Sequence, residues 1–255
     1  MKKLLFFVVF FVSVFHLNAQ SWESLPGGSL DSPPNTIISF GGYRWVSGSF
    51  YHAGSLSSEF VARHDGVGWI PTPALSNPAH SFCIWNNTLY AVGSFEIATT
   101  TYGVAKWNGV GWEYFGVIPS GFYFHTATIF NNEMIFGGRV LLVDGISINH
   151  LVKWNGSTWT SFPFPISCSW AVLPEVSTLE VFNNFLYVGG VFSSVNSAST
   201  VLAFKTDWLS LTPLSLDPNY GVTDFISYHD SVFCSGSFIS GPFPVNQVSP
   251  GIVKT

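Results

Sequence analysis

Val181-Phe-Asn-Asn-Phe-Leu-Tyr-Val-Gly-Gly-Val-Phe192 reads as an apolar run, a two-residue turn, a second apolar run and a glycine. Ile84-Trp-Asn-Asn-Thr-Leu-Tyr-Ala-Val-Gly-Ser-Phe95 repeats that plan, and weaker copies occupy residues 39–50, 129–140 and 227–238. Aligned on the glycine, the copies fall at Gly48, Gly93, Gly138, Gly190 and Gly236, spaced by 45, 45, 52 and 46 residues. The turn pairs are Gly41-Gly42, Asn86-Asn87, Asn131-Asn132, Asn183-Asn184 and His229-Asp230. All use residue types that tolerate positive φ, which a type I′ hairpin requires at both central positions. An aromatic residue precedes every pair: Phe40, Trp85, Phe130, Phe182 and Tyr228. Shared turn chemistry and a shared aromatic predict five hairpins of one design.

A second hairpin follows the first. Val104-Ala-Lys-Trp-Asn-Gly-Val-Gly-Trp112 and Leu151-Val-Lys-Trp-Asn-Gly-Ser-Thr-Trp159 are nearly identical, and Phe60-Val-Ala-Arg-His-Asp-Gly-Val-Gly-Trp69 is a variant. Asp65-Gly66, Asn108-Gly109 and Asn155-Gly156 are read as two-residue hairpin turns. The fourth copy reads as a shortened turn that keeps its tryptophan, giving the series Trp69, Trp112, Trp159 and Trp208. Each unit therefore has four short strands, A to D, with the first turn between A and B and the second between C and D. Four strands per 40–50 residues is the pattern of β-propeller blades. Strand A carries apolar residues on both faces, with Ile37, Phe82, Leu179 and Phe225 opposite the turn-side aromatics. A sheet covered on both faces has this pattern.

The fold expected is all-β: a five-bladed β-propeller of four-stranded antiparallel blades over residues 20–255. Ser21-Trp22-Glu23-Ser24-Leu25 resembles strand D, and Gly251-Ile252-Val253-Lys254-Thr255 resembles strand C. Pairing the N- and C-terminal segments in one blade closes the ring and removes two exposed sheet edges. The alternative is a piece of a longer array.

Residues 1–19 form a separate object. Lys2 and Lys3 precede an apolar stretch from Leu4 to Phe15, and Leu17-Asn18-Ala19 offers a cleavage point. This is the plan of a secretory signal peptide, with Gln20 as mature N-terminus; an uncleaved anchor is the alternative. Charged residues make up only 9% of the chain and apolar residues 47%. That composition suits a protein secreted or displayed at the cell surface, or held in the periplasm, and argues against disorder. Beyond the leader no apolar run is long enough to span a bilayer. Removing the leader leaves seven basic residues, scattered singly, against fourteen acidic ones. No basic stripe exists to neutralise phosphates, so nucleic acid is excluded as a partner. The reading is of a monomer. Cys83, Cys168 and Cys234 have neither the number nor the spacing of a disulfide framework or a zinc site. They read as small buried hydrophobes, with one disulfide plus a free thiol left open.

The motifs Leu186-Tyr187-Val188-Gly189-Gly190 and Val104-Ala105-Lys106-Trp107-Asn108-Gly109 with Trp112 resemble secreted bacterial β-propeller repeat proteins. These are loosely related to kelch and galactose-oxidase central domains. The resemblance covers nearly the whole mature chain and specifies fold better than function. It implies that strand A is innermost and that ligands sit over the central channel where the A strands begin. The residues six before each turn pair are Asn35, His80, His125, Ser177 and Thr223, all polar. Five-fold symmetry would gather them at one channel mouth. Three readings stay open: a small polar ligand, a metal held by His80 and His125, or a water-filled polar rim. The longest connection between units contains Cys168, Trp170 and Glu175. Trp170 is either a stacking platform for a sugar or a cap on the gap between blades.

Glu180 and Asp224, near the starts of adjacent A strands, are the one candidate carboxylate pair for glycoside hydrolysis. No P-loop, dinucleotide fingerprint, nucleophile elbow or zinc-protease motif occurs. No cofactor is implied. The functional expectation is a non-catalytic binding or adhesion module that takes a glycan or protein through its loop face. The alternatives are a purely structural repeat domain and a secreted glycoside hydrolase.

Overall fold

The computed structural model describes residues 25–168, 173–199, 202–214, 221–237 and 253–254. The leader, Trp22 and Trp170 lie outside the described residues. All regular structure among the described residues is β, in small antiparallel sheets. Among them, no helix is long and apolar enough to cross a membrane.

Four units each form a four-stranded meander in sequence order. Unit one runs Pro34–Phe40, Tyr43–Gly48, Val61–His64, Trp69–Ile70; unit two runs Ser81–Trp85, Thr88–Ile97, Thr100–Trp107, Trp112–Ile118. Unit three runs Tyr123–Phe130, Glu133–Arg139, Leu151–Trp154, Trp159–Ser161; unit four runs Glu175–Phe182, Phe185–Val191, Ala203–Thr206, Leu211–Pro213. In unit five Gly221–Tyr228 pairs with Ser231–Ser237, and Val253–Lys254 pairs with the latter as a third strand. The last strand falls where the sequence placed strand C.

The A–B turns follow the sequence closely. Asn86 and Asn87 take φ 46° and 54°, Asn131 and Asn132 50° and 64°, and Asn183 and Asn184 48° and 61°. Gly41 and Gly42 do the same at 59° and 81°, whereas in the fifth pair only His229 does, at 51°.

The C–D turns correct it. They are four-residue loops held by a side chain, not two-residue hairpins. The Oδ1 of Asn108 accepts the amides of Val110 (3.0 Å) and Gly111 (2.8 Å), and Asp65 and Asn155 do the same for the residues two and three ahead. Asp207 holds Leu209 (2.9 Å) and Ser210 (2.6 Å) identically, so the fourth turn is not shortened. Its strand D starts at Leu211, which pairs with Thr206 as Trp159 pairs with Trp154. Trp208 therefore does not continue the strand-D tryptophans. It occupies the turn at φ 79°, where the other copies have Gly66, Gly109 and Gly156 at about 100°. Its ring reaches Phe162 of unit three at 5.1 Å. A side-chain acceptor that fixes turn length outweighs a shared residue type.

The A strands begin earlier than expected, at Pro34, Tyr123, Glu175 and Gly221 in four units. Each then contains a β-bulge. Phe124 pairs with Gly138 and Thr126 with Gly137, so His125 is left over; Asn35, Ser177 and Thr223 are left over in the same way. The bulge explains the repeat glycine in units one, three and four, whereas Gly93 of unit two faces no bulge. A Cβ on Gly138 would lie 2.3 Å from the Tyr123 carbonyl oxygen, and one on Gly190 2.0 Å from that of Glu175. Only glycine admits a backbone that close.

Between strands B and C most units add a short hairpin that the sequence reading missed: His52–Ala53 with Leu56–Ser57, Leu142–Val143 with Ile146–Ser147, and Ser194–Val195 with Ala198–Ser199. In unit two the B and C strands lengthen instead, to Ile97 and from Thr100. These hairpins grip the chain arriving from the preceding unit. Asp144 donates its amide to the Val117 carbonyl (2.8 Å) and accepts the Val117 amide on Oδ1 (2.7 Å). Its Oδ2 accepts the indole N–H of Trp159 at 2.7 Å.

Apolar cores lie between successive units. Trp45 and Val61 pack with Phe82 and Leu89; Cys83 and Tyr90 with Phe124 and Phe136; Ile135 and Leu151 with Val176 and Leu179; Tyr187 and Ala203 with Val222 and Phe225. Each fully buried Val, Leu, Ile or Phe among them contributes about 1.5–3 kcal/mol. Cys83 and Cys234 are buried in different clusters, as small hydrophobes. Burial pushes the Cys83 thiol up to about 12. The A strands pack side by side from unit one through unit five. Ile37 departs from the expected pattern: its counterparts Phe82, Leu179 and Phe225 are buried against the preceding unit, but Ile37 is 62% exposed. Ile226, on the opposite face of the last A strand, is 63% exposed.

Candidate functional site

The starts of the A strands lie side by side, so residues far apart in sequence meet there. The five polar residues expected to form a ring do not behave alike. His80 and His125 come together, with ring centroids 5.3 Å apart. Thr223 is exposed and lies 3.2 Å from Ser235 of its own unit through their hydroxyls. Asn35 is exposed and Ser177 half-buried. The observed feature is an asymmetric cluster on units two, three and four.

The residue that makes it a cluster is Glu175. The sequence reading assigned it to the long connection; it opens the A strand of unit four. It sits two residues before Ser177, on the far side of the bulge, and its carboxylate faces unit three. Its Oε2 accepts the hydroxyl of Tyr123 at 2.8 Å, and its Oε1 lies 2.8 Å from Nδ1 of His125. With the carboxylate ionised, that nitrogen is the donor. The histidine pair thus has the carboxylate partner that no sequence spacing indicated. Tyr123 also packs against His80, with centroids 5.0 Å apart.

The electrostatics follow from this packing. The His125 hydrogen bond, aided by that of Tyr123, holds the Glu175 carboxyl below the usual carboxylate range, against the opposing effect of burial. Burial lowers the His80 imidazole, with His125 adding to the effect and Glu175 opposing it. Burial raises the Tyr123 phenol, and its bond to Glu175 raises it further. Arg139, paired with Tyr123 across strands A and B, places a positive charge close enough to favour the ionised forms of Tyr123 and Glu175. The His125 side chain is 41% exposed and that of Glu175 20%, so the cluster opens to solvent at His125. Among the described residues no group of three His, Cys, Asp or Glu side chains is placed to hold a metal ion.

The candidate acid pair is engaged elsewhere. Glu180 accepts the Ser227 amide at 3.0 Å. Asp224 accepts the Thr178 hydroxyl at 3.3 Å and its neighbour's amide at 2.9 Å. Both carboxylates bridge the A strands of units four and five, which have no backbone ladder between them.

No family model matches this chain, and no curated protein matches it. Among solved structures it is similar to the extracellular domain of a putative hybrid two-component system from B. thetaiotaomicron. The two share 11% identity at a TM-score of 0.49, over 78% of this chain and 25% of that one. The chain thus spans about a quarter of the length of that structure.

Proposed function

We propose that this chain is an exported five-bladed β-propeller that binds a polar ligand, a glycan, at the mouth formed by the starts of its A strands. The observation that carries this reading is the meeting of His80, Tyr123, His125 and Glu175. They come from three successive units: two 2.8 Å hydrogen bonds tie Tyr123 and His125 to Glu175, His80 packs against both rings, and the cluster stays open to solvent at His125. Aromatic edges beside fixed donors and acceptors suit a sugar, which offers hydroxyls and apolar ring faces. The resemblance to secreted bacterial propeller repeats, the leader and the low charge support export. Five repeats and four successive A-strand contacts support the ring, and its closure is what would cover Ile37 and Ile226 at the two ends of the series.

The reading is of a binding module and not of a hydrolase, because Glu180 and Asp224 are already occupied as bridges. The test is a glycan array probed with the mature protein, followed by titration of each hit. His125→Ala is expected to weaken binding about tenfold or more, as loss of a hydrogen-bonding contact does, in a protein that stays folded with a melting temperature lowered by the lost Glu175 bond. Trp170→Ala, outside the described residues, is the second arm for a stacking contribution. Absence of binding across neutral and acidic glycans would sink the reading.

A further inference from the structure

Both oxygens of Glu175 are spent inside the protein, one on Tyr123 and one on His125. Beside it, two nitrogens lack a partner. Arg139 keeps its Nε buried without a hydrogen-bond partner, and His80 keeps its Nδ1 buried in the same state. The ion pairs among the described residues are His52–Asp31, His125–Glu175 and Lys153–Glu133, and none involves Arg139. Arg63, the other arginine with an orphaned Nε, lies over the rings of Tyr43, Trp45 and Trp107 at 4.8–5.6 Å. Arg139 has no such aromatic seat. The Arg139 guanidinium also reaches the Tyr123 hydroxyl, but one nitrogen on it and one on His80 stay buried and unpaired, which is a costly arrangement.

We infer that the mouth binds the carboxylate of an acidic saccharide, with Arg139 as its main partner and His80 and His125 completing the contact. A planar carboxylate fits the forked donors of a guanidinium, and an imidazole edge can supply a further N–H. The sugar ring carrying that carboxylate would lie over Tyr123 and the exposed edge of His125. The inference rests on the binding reading above and narrows it to one chemical class.

The probes are oligogalacturonate and sialyllactose, each titrated against the mature protein beside its own methyl ester. The esters keep shape and hydroxyls and lose only the charge. At least one free acid is expected to bind about tenfold or more tightly than its ester, as for a charge-assisted against a neutral contact. Arg139→Gln should erase that preference, so that acid and ester then bind alike. Arg139→Lys, which keeps charge and loses the fork, should retain part of it and serves if the glutamine variant fails to fold. Equal binding of acid and ester, or full preference in a folded Arg139→Gln, overturns the inference. If neutral glycans bind through His125 and acids gain nothing, the general binding reading stands and this one falls. If no saccharide binds, both fall.

Discussion

At the scale of single residues, the repeat glycine has a physical reason that its recurrence alone does not state. Gly138 and Gly190 face a bulged strand whose carbonyl comes within 2.3 Å and 2.0 Å of where a Cβ would stand. Gly41, by contrast, sits in an open turn at φ 59° with nothing near its missing Cβ. The two kinds of glycine should respond oppositely to substitution. Gly138→Ala is expected to cost about 1–3 kcal/mol, since backbone must move to admit the methyl. Gly41→Asn is expected to stay within about 0.5 kcal/mol, because asparagine accepts this conformation and the surface is forgiving. Urea denaturation of both variants decides it, and equal costs would refute the bulge account. His125 shows the same bulge in its functional aspect: the unpaired residue is the one turned toward Glu175.

At the scale of elements, the short B–C hairpins do work that the four-strand plan omits. Asp144 ties the hairpin of unit three both to Val117, arriving from unit two, and to the Trp159 indole of its own strand D. Trp159 is only 6% exposed, and the exposed Asp144 is the acceptor that its N–H finds. Asp144→Ala is expected to lower stability by about 1.5–3 kcal/mol, the range for hydrogen bonds to a charged group. Indole fluorescence and a chemical melt read the loss together. An unchanged midpoint would show that the hairpin does not clamp successive units. The C–D turns make a related point: Asp207 sets the turn length, and Trp208 is displaced into it.

At the scale of the whole molecule, the open matter is the ring. The A strands of five units pack in series, and the two ends of that series present Ile37 and Ile226, both largely exposed. At every interior position the equivalents of Ile37 are covered by the preceding unit. A closed ring covers these last two faces in the same way. Ile37→Asp and Ile226→Asp should then each lower the melting temperature by several degrees, since a buried unpaired carboxylate costs about 2 kcal/mol or more. Melting temperatures equal to wild type would mean that both faces are wet and the ring is open.

The sequence by itself determined the number of units, the four strands in each of the first four, the A–B turns and the place of the last C strand. These depend on local chemistry: alternation of apolar residues, asparagine and glycine at positive φ, and an aromatic before each turn. It misjudged what local spacing does not encode. The C–D turns are set by one side-chain oxygen reaching two amides, and the series of tryptophans hid that at Trp208. The polar residues His80 and His125 were legible as candidates because each reads as the polar start of a strand whose next positions are largely apolar. Glu175, Tyr123 and Arg139 were not, because Glu175 lies about 50 residues from its partners and a bulge shifts its place on the strand. Only the packing of one unit against the next decided that these side chains share a site, since proximity across neighbouring sheets follows from their stacking and not from any spacing along the chain.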